Sequence, residues 1–340
     1  MMRSRRQIGL DIGHAWIKAA MRDRSGRLTR IAAFPRSTPG AALEFDEAAF
    51  IAETLLRQGF ESVPVVLGVS TEHVRLEELE APVMLEGSAL DRIILGELSR
   101  LTHWEPESFT GQWWPVPTSL RAAATGSYLT VAAPTAAIEA LVAPLLEVGF
   151  DIMAVDLLTA ATMRVCSRGV GPDHLVVSVD IGFVSTELSA LLDGSLVLVR
   201  RLPHASLAGI CRQLPDLPSG RAALLERLCT GQVHPSAASH ALLASFNSAI
   251  HELADLLQEE IERTLAYLAR RFPSATRCDV FLCGGGARID ALVSTLGQSP
   301  DVLARRPELP ACQSHVGRRW SNEPMCIAAC GLALWAEEAG

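Results

Sequence analysis

Residues 7–34 read QIGLDIGHAWIKAAMRDRSGRLTRIAAF, and a related segment, LVVSVDIGFVSTELSALLDGSLVLVRRL, follows at residues 175–202. This pair of segments is the strongest indication of the fold. Each begins with a short apolar run that ends in Asp-Ile-Gly and continues as two alternating segments joined by a glycine-containing turn. Alternation with a period of two, flanked by glycine turns, is typical of strands in hairpins. We therefore predict two copies of a three-stranded antiparallel meander, and thus two related lobes.

The two Asp-Ile-Gly turns have the composition expected of a phosphate site. Gly13 and Gly182 allow close backbone approach, so that successive N–H groups can point at a phosphate. Asp11 and Asp180 would face one another across the cleft and hold a hydrated Mg²⁺, which takes one or two carboxylates together with waters and phosphate oxygens. One Asp-x-Gly turn is also ordinary hairpin chemistry, so the prediction depends on the duplication.

Lys18 is the only lysine among the 30 Lys and Arg residues of the chain. Its compact ammonium group fits a narrow pocket beside a phosphate, where the planar guanidinium of arginine does not. We predict that Lys18 contacts the nucleotide phosphates from the first lobe and that Thr186 offers a hydroxyl from the second. Chance survival of an exposed lysine is the alternative.

A third element follows the second meander. The apolar segment 279–283 has the pattern of a buried strand and runs into Gly284, Gly285 and Gly286, before a helical pattern over 289–296. A strand, a glycine turn and a helix let the backbone pass under a base or phosphate, although such a turn is also a plain connection. In the long amphipathic helix upstream, Glu260 and Arg263 share one face, for ribose contact or as a solvated pair.

Composition excludes several classes of protein. The net charge is −8 and no basic stripe is visible, which disfavours nucleic-acid binding. The most apolar region, residues 128–150, is interrupted by prolines and glutamates, so no transmembrane helix and no membrane insertion are expected. The eight cysteines are scattered and are expected to be reduced thiols of a cytosolic protein.

Taken in order, these motifs resemble the phosphate-1, phosphate-2 and adenosine motifs of the actin, heat-shock chaperone and sugar-kinase superfamily. Within it, the chain resembles the PilM family of type IV pilus assembly proteins and their relatives in competence and MSHA pilus biogenesis. That family opens with DIGxxxxK, carries an EIxRSLxY-like helix before a GGGA turn, and ends near GLAL. The corresponding segments here are EIERTLAY, residues 260–267, and GLAL, residues 331–334.

The resemblance covers essentially the whole chain and implies an α/β, actin-like ATPase fold of two related, ribonuclease H-like lobes. Residues 1–160 would form the first lobe, and residues 161–340 the second, whose C-terminal helix returns toward the first. A small insert, about residues 62–150, resembles the 1C (SHS2-like) subdomain that PilM shares with the cell-division protein FtsA. Its expected elements are strands 65–69, 73–79, 111–116 and 128–133, and helices 86–101 and 135–148.

The resemblance also implies a function. It predicts a cytoplasmic adaptor, peripheral at the inner membrane, that binds ATP or ADP with Mg²⁺ and takes the cytoplasmic amino-terminal peptide of a PilN-like membrane protein in a groove beside the insert. A pilus assembly ATPase is a second implied partner, and no nucleic acid is expected. Trp113 and Trp114 either line that groove or pack in a core.

Three departures from the family pattern affect the nucleotide site. His14 replaces a small serine and its ring can crowd the turn, although its backbone N–H remains. Leu224 and Arg227 stand where relatives carry the Glu and Lys of a nucleotide-contacting helix, which weakens affinity. Asp156 is the one candidate catalytic carboxylate and is also a candidate helix cap, so weak or no ATPase activity is expected.

Three other hypotheses stay open. The first is a degenerate scaffold of the same machine that binds no nucleotide. The second is a small-molecule kinase of the superfamily, which the Leu- and Val-rich insert disfavours. The third is an FtsA-like division protein, which is disfavoured because a terminal amphipathic membrane helix is expected in that group and the sequence shows none after GLAL.

Overall fold

The computed structural model describes residues 6–82, 84–117, 125–215, 224, 225, 227, 237–298, 303–309 and 323–335. The strands are β1 (Gln7–Ile12), β2 (Trp16–Arg22), β3 (Leu28–Pro35), β4 (Val65–Val69), β5 (Arg75–Pro82), β6 (Phe109–Pro115), β7 (Thr125–Pro134), β8 (Ile152–Leu157), β9 (His174–Ile181), β10 (Thr186–Leu192), β11 (Ser195–Leu202), β12 (Arg277–Cys283) and β13 (Ala304–Arg305). The helices are α1 (Phe45–Arg57), α2 (Gly87–Thr102), α3 (Thr135–Glu147), α4 (Leu158–Cys166), α5 (Leu207–Gln213), α6 (Ala237–Arg271), α7 (Asp290–Gly297) and α8 (Ile327–Ala333).

The two predicted meanders form two five-stranded sheets of matching order. The first sheet runs β3-β2-β1-β4-β8 and the second runs β11-β10-β9-β12-β13. In each, three antiparallel strands come first in the chain, and parallel strands then extend the sheet beside the first strand. The predicted duplication is therefore confirmed, and it places the two Asp-Ile-Gly turns at equivalent ends of the two sheets.

The insert is a three-stranded antiparallel sheet of order β5-β7-β6 with α2 packed against it. Its core includes Leu90, Ile94 and Leu98 from α2, together with Phe109 and Tyr128 from the strands. The sequence patterns at these elements, apolar at every third or fourth position in the helix and alternating in the strands, are those expected for one-sided burial.

The expected insert of residues 62–150 is too large. β4 lies in the first sheet between β1 and β8, so this strand does not belong to the insert. α3 contacts α1 and buries Leu145 in the core of the first sheet. The separate sheet therefore extends only from Arg75 to Pro134.

The tryptophans of β6 pack in cores. Trp113 stands edge-on to Tyr128 and donates its indole N–H to Asp91 Oδ1 at 3.0 Å. Trp114 packs against the large core of the second sheet and donates to the carbonyl of Leu196 at 2.9 Å. Of the two alternatives for this pair, the structure supports core packing.

The C-terminal helix α8 packs against β1, β2 and β4 of the first sheet. Gln7 at the start of β1 donates its amide to the carbonyl of Trp335, just after α8, at 2.8 Å. Gly9 allows this close approach, because a Cβ there would overlap the carbonyl of Ala329. α8 also contacts α4, a continuous helix that contains the predicted lobe boundary at residues 160 and 161.

Among the described residues, no helix combines the length and the apolar character that a bilayer crossing requires.

Candidate functional site

The duplicated turns lie at one crevice between the two sheets. The N–H of Gly13 donates to the carbonyl of Trp16, and the N–H of Gly182 donates to the carbonyl of Ser185, both at 3.0 Å. The two turns are thus closed by the same bond at the same position of each copy. The crevice is lined by Asp11, His14, Ala15, Trp16, Lys18, Asp180, Gly182, Phe183, Leu207, Leu225, Gly284, Gly285, Arg288 and Met325.

Asp11 and Lys18 form the floor of the crevice on the first sheet. They are cross-strand neighbours of β1 and β2, and Lys18 Nζ donates to Asp11 Oδ2 at 2.7 Å. The side chains are only 6% and 14% exposed, respectively. Asp11 Oδ1 is buried and has no hydrogen-bond partner within the described part of the chain. One carboxylate oxygen therefore neutralises Lys18 while the other is left for a further ligand.

Asp180 faces the same crevice from the second sheet. Its pKa is raised to about 7, mainly because the surrounding protein desolvates the carboxylate; the charges of Glu187 and Asp11 contribute to this rise and the charge of Lys18 opposes it. A bound cation would reverse this balance, because it favours the ionised carboxylate. The predicted pair of aspartates thus meets in one crevice, beside the only lysine of the chain.

The glycine turn after β12 passes directly under Asp180. Gly284 has φ +78°, and a Cβ there would overlap Asp180 Oδ1. A Cβ at Gly286 would overlap the side chain of Ile181. Gly284 and Gly285 line the crevice, whereas Gly286 begins a short 3-10 helix, Gly286–Arg288, that leads into α7. The predicted order of strand, glycine turn and helix is confirmed, and side-chain-free backbone is required here for packing.

His14 and Phe183 stack at the mouth of the crevice, with ring centroids 5.2 Å apart and planes inclined by 12°. Gly40 lies against the His14 ring, and its N–H donates to the His14 carbonyl at 2.8 Å. The pKa of His14 is lowered, first by desolvation and then by the charge of Arg36, so this imidazole is neutral at pH 7. The predicted crowding by His14 therefore takes the form of a stacked, uncharged ring.

Six predicted site residues do not line the crevice: Gly13 and Gly286, which lie in turns beside it, and Thr186, Asp156, Glu260 and Arg263. Thr186 is fully buried in β10 and Asp156 lies in β8. Glu260 and Arg263 pair with one another at 2.7 Å on α6, and Glu260 also lies 2.7 Å from Arg200 Nη1 on β11. The structure thus places this pair in an ion-pair cluster outside the crevice lining.

Asp156 is held by two donors. Leu157 N donates to its Oδ1 at 2.9 Å, and Arg164 Nη2 donates to its Oδ2 at 3.0 Å. Arg164 also donates to the carbonyl of Gly331 in α8 at 2.8 Å. Desolvation raises the pKa of Asp156 and the charge of Arg164 opposes this shift. From the end of β8, the carboxylate therefore binds the N–H of Leu157, just before α4, and Arg164 within α4, and Arg164 extends the connection to α8.

The sequence analysis missed Glu187, the cross-strand neighbour of Asp180 on β10. Thr71 Oγ1 donates to Glu187 Oε2 at 2.6 Å, and Thr159 donates to Oε1. Glu187 keeps some exposed area, but the protein around its carboxylate raises its pKa. The sequence could have indicated Glu187, because it follows Asp180 by seven residues, just as Lys18 follows Asp11.

The apolar side of the crevice was missed as well. Leu207, Leu225 and Met325 line it, and the guanidinium of Arg288 lies 5.9 Å from the ring centroid of Trp16. A flat apolar group such as a nucleobase fits a lining of this kind. Leu224, where the sequence departs from the family pattern, is buried, as is its neighbour Leu225.

The donor set fits a hydrated Mg²⁺. Asp11 and Asp180 supply two carboxylates in one crevice, and the unpartnered Asp11 Oδ1 can accept from a metal-bound water. Mg²⁺ usually keeps several waters and takes only one or two protein carboxylates. Within the described ranges, no three metal-ligating side chains are grouped closely enough to hold a metal by themselves.

No family model matches the chain, and the comparison with curated protein sequences gives no match. Solved structures do match. The PilM-PilN type IV pilus biogenesis complex aligns over 97% of this chain and 98% of the other, with 20% identity and a TM-score of 0.72. The ethanolamine utilization protein EutJ from Carboxydothermus hydrogenoformans aligns over 98% and 90%, with 14% identity and a TM-score of 0.52.

MreB 5 of Spiroplasma citri, in a structure bound to AMPPNP, aligns over 96% of this chain and 95% of the other, with 12% identity and a TM-score of 0.50. Each of these three alignments covers at least 96% of this chain and at least 90% of the matched chain. The predicted α/β, actin-like ATPase fold is therefore confirmed.

Proposed function

We propose that this protein is a nucleotide-binding adaptor of the PilM class, which works at the cytoplasmic face of the inner membrane in a type IV pilus or related assembly platform. One observation carries the nucleotide part: the duplicated turns bring Asp11, Lys18 and Asp180 into a single crevice. The partner part is supported by the likeness to a complex of PilM with PilN over nearly the full length of the chain.

Different residues of the crevice would contact the metal, the phosphates and the base of a bound ATP or ADP. Asp11 and Asp180 would hold Mg²⁺ through its waters, and Lys18 would exchange part of its bond to Asp11 for a phosphate oxygen. Gly284 and Gly285 let the backbone pass close to the ligand, and the apolar lining beside them receives the base. The bound metal would supply positive charge that neutralises the phosphates.

Turnover should be weak or absent. Phosphoryl transfer depends on a group that orients the attacking water and on stabilisation of the developing charge. Among the described residues that line the crevice, the carboxylates are Asp11 and Asp180, which are committed to the metal. Asp156 is outside that lining and both of its oxygens are bonded.

The partner we propose is the short cytoplasmic amino-terminal peptide of a PilN-like membrane protein, bound beside the insert, which we assign to the 1C (SHS2-like) type. A pilus assembly ATPase is the second partner. Because Trp113 and Trp114 are occupied in cores, other residues of the insert and the first sheet must form the peptide groove. Retention of such a peptide by the immobilised protein tests this part, and failure to retain any pilus-type peptide would contradict it.

A second candidate is a scaffold of the same machine that binds no nucleotide. The observation that favours it is that lining residues of the crevice already contact one another: His14 stacks on Phe183, and Lys18 is paired with Asp11. Ligand binding must displace or loosen both contacts, and their combined cost would lower affinity.

Calorimetric titration with MgATP separates the two candidates. We expect saturable heat for the native protein, loss of that heat in Lys18→Ala, and native behaviour in Arg24→Ala. Arg24 is a suitable control because it is an exposed cation on the turn between β2 and β3, in the same meander. Absence of heat in the native protein supports the scaffold, and equal binding by Lys18→Ala would contradict the proposed site.

A further inference from the structure

The short loop Ser70–Val74 connects two parts of the fold that the proposed function must coordinate. It leaves the first sheet after β4 and enters the insert at β5. The loop is a compact turn, since the N–H of His73 donates to the carbonyl of Ser70 at 3.1 Å and the N–H of Glu72 faces Ser70 Oγ at 3.3 Å. A displacement at one end of so short a turn is passed to the other end.

This loop is bonded to the second copy of the hairpin by two independent routes. In the first, Thr71 Oγ1 donates to Glu187 Oε2 at 2.6 Å. In the second, Glu72 pairs with Arg201, and Arg201 Nε donates to Ser185 Oγ at 3.0 Å. Ser185 is the residue whose carbonyl closes the Asp-Ile-Gly turn at Gly182.

The residues on the hairpin side form one row across the second sheet. Asp180 on β9 is directly opposite Glu187 on β10, and Glu187 is directly opposite Arg201 on β11. Residues opposite each other in antiparallel strands project to the same face. The row therefore begins at the crevice, where Asp180 lies, and ends at the loop that enters the insert.

The first sheet supplies a second anchor for the same carboxylate. Thr71 follows β4 and Thr159 follows β8, and these two strands are parallel neighbours. Because parallel strands end at the same edge of a sheet, both hydroxyls reach Glu187 from that edge. In the equivalent place of the first copy, Lys18 bonds Asp11 instead, so the two copies use this position differently.

We propose that the loop Ser70–Val74 communicates occupancy of the crevice to the insert through Glu187 and Arg201. The inference rests on the proposed nucleotide binding, and it specifies how the partner-binding side is regulated. A ligand that fixes the Gly182–Ser185 turn also fixes Glu187 and Arg201, and these hold Thr71 and Glu72. Side-chain bonds join the turn to the loop through Ser185, Arg201 and Glu72, and Glu187 joins Thr71 to the strand that follows the turn.

Amide hydrogen exchange of residues 70–79, measured with and without MgATP, tests this coupling. In the native protein and in Thr71→Ser, which keeps the hydroxyl, we expect MgATP to slow exchange there about fivefold, as for one added net hydrogen bond. In Thr71→Val, which keeps the shape but removes the donor, we expect a clearly smaller response, because only the route from Glu72 to Arg201 remains, while calorimetry still shows MgATP binding.

Glu78→Gln is the matched control, because Glu78 pairs with Arg271 and so joins the insert to α6 by a contact outside this chain of bonds. It should respond to MgATP as the native protein does, and Glu72→Gln should respond more weakly. A native response in Thr71→Val overturns the inference. Native protein that gives no calorimetric heat overturns the proposed nucleotide function itself, so the two failures are distinguishable.

Discussion

His14 and Phe183 stack on each other across the crevice from equivalent positions of the two hairpins, each directly after the glycine of its Asp-Ile-Gly turn. The duplication that creates the site therefore also brings two rings together at its entrance. An offset aromatic stack contributes about 1 kcal/mol beyond the area it buries. Since both rings line the crevice, phosphates that approach the two turns must push this contact aside.

Replacement of His14 by serine should tighten MgATP binding by about threefold to tenfold, because the stack no longer competes with the ligand. His14→Phe is the matched control, since it keeps a ring against Phe183 and should bind no tighter than the native protein. Calorimetry at one pH and one magnesium concentration measures both variants. Equal affinities for His14→Ser and His14→Phe would show that the stack does not oppose binding.

Asp180 should make the ligand-free protein less stable as the pH rises. Its folded-state pKa of about 7 exceeds its ordinary value of 3.8, so its stabilising effect is complete below the ordinary value and is lost as the pH rises through the folded-state value. Asp180→Asn stays uncharged and should be more stable than the native protein at pH 8 by on the order of 3 kcal/mol, with the difference vanishing near pH 4.

Urea unfolding at several pH values in a chelator measures this difference. Asp255→Asn is a suitable control, because Asp255 is exposed on α6. A stability difference for Asp180→Asn that does not change between pH 4 and pH 8 would falsify the assignment of a raised pKa to this carboxylate.

The local features of the fold were predictable from the sequence, because they depend on residues close together in the chain. Alternating strands around glycine turns identified both meanders, and the run of glycines after β12 identified the turn beneath Asp180. Gly284 cannot carry a side chain because Asp180, about a hundred residues earlier in the chain, lies against it. The glycine can be read from the sequence, but this contact cannot. The position of the turn could thus be predicted without its cause.

The features that depend on which surfaces meet could not be predicted in the same way. The sequence of β4, VVLGV, predicts a short apolar strand but does not indicate whether the strand pairs within the first sheet or within the insert. Glu260 and Arg263 share a helix face, as predicted, but the facing element proved to be β11 with Arg200. Phe183 became important only because the second sheet brings it against His14.

Gly284→Ala should be far more harmful than an alanine at another glycine of positive φ. Gly284 and Gly194 have φ +78° and +81°, but a Cβ at Gly194 meets nothing within 4 Å, whereas one at Gly284 would overlap Asp180 Oδ1. Backbone strain alone should cost Gly194→Ala about 1 kcal/mol, and the added overlap should bring Gly284→Ala to about 3 kcal/mol or more.

Urea unfolding measures both costs, and calorimetry with MgATP shows whether the shifted Asp180 still supports binding. Gly194→Ala should bind as the native protein does. Similar losses of stability for the two variants would mean that the glycine turn and Asp180 are not in tight contact.

Asp156→Asn should reduce stability without changing turnover. The substitution weakens the bond to Arg164, which also holds the carbonyl of Gly331, so α4 and α8 lose part of their connection at a cost of about 1 to 3 kcal/mol. A catalytic base would behave differently, since its loss slows a reaction by orders of magnitude. Because Asp156 does not line the crevice, we expect the slow basal release of phosphate from MgATP to stay within about twofold of native. Asp151→Asn is the control, since the observed bond of Asp151 is made by its backbone carbonyl to the N–H of Val65. Loss of phosphate release in Asp156→Asn with unchanged stability would instead identify Asp156 as the group that orients the attacking water.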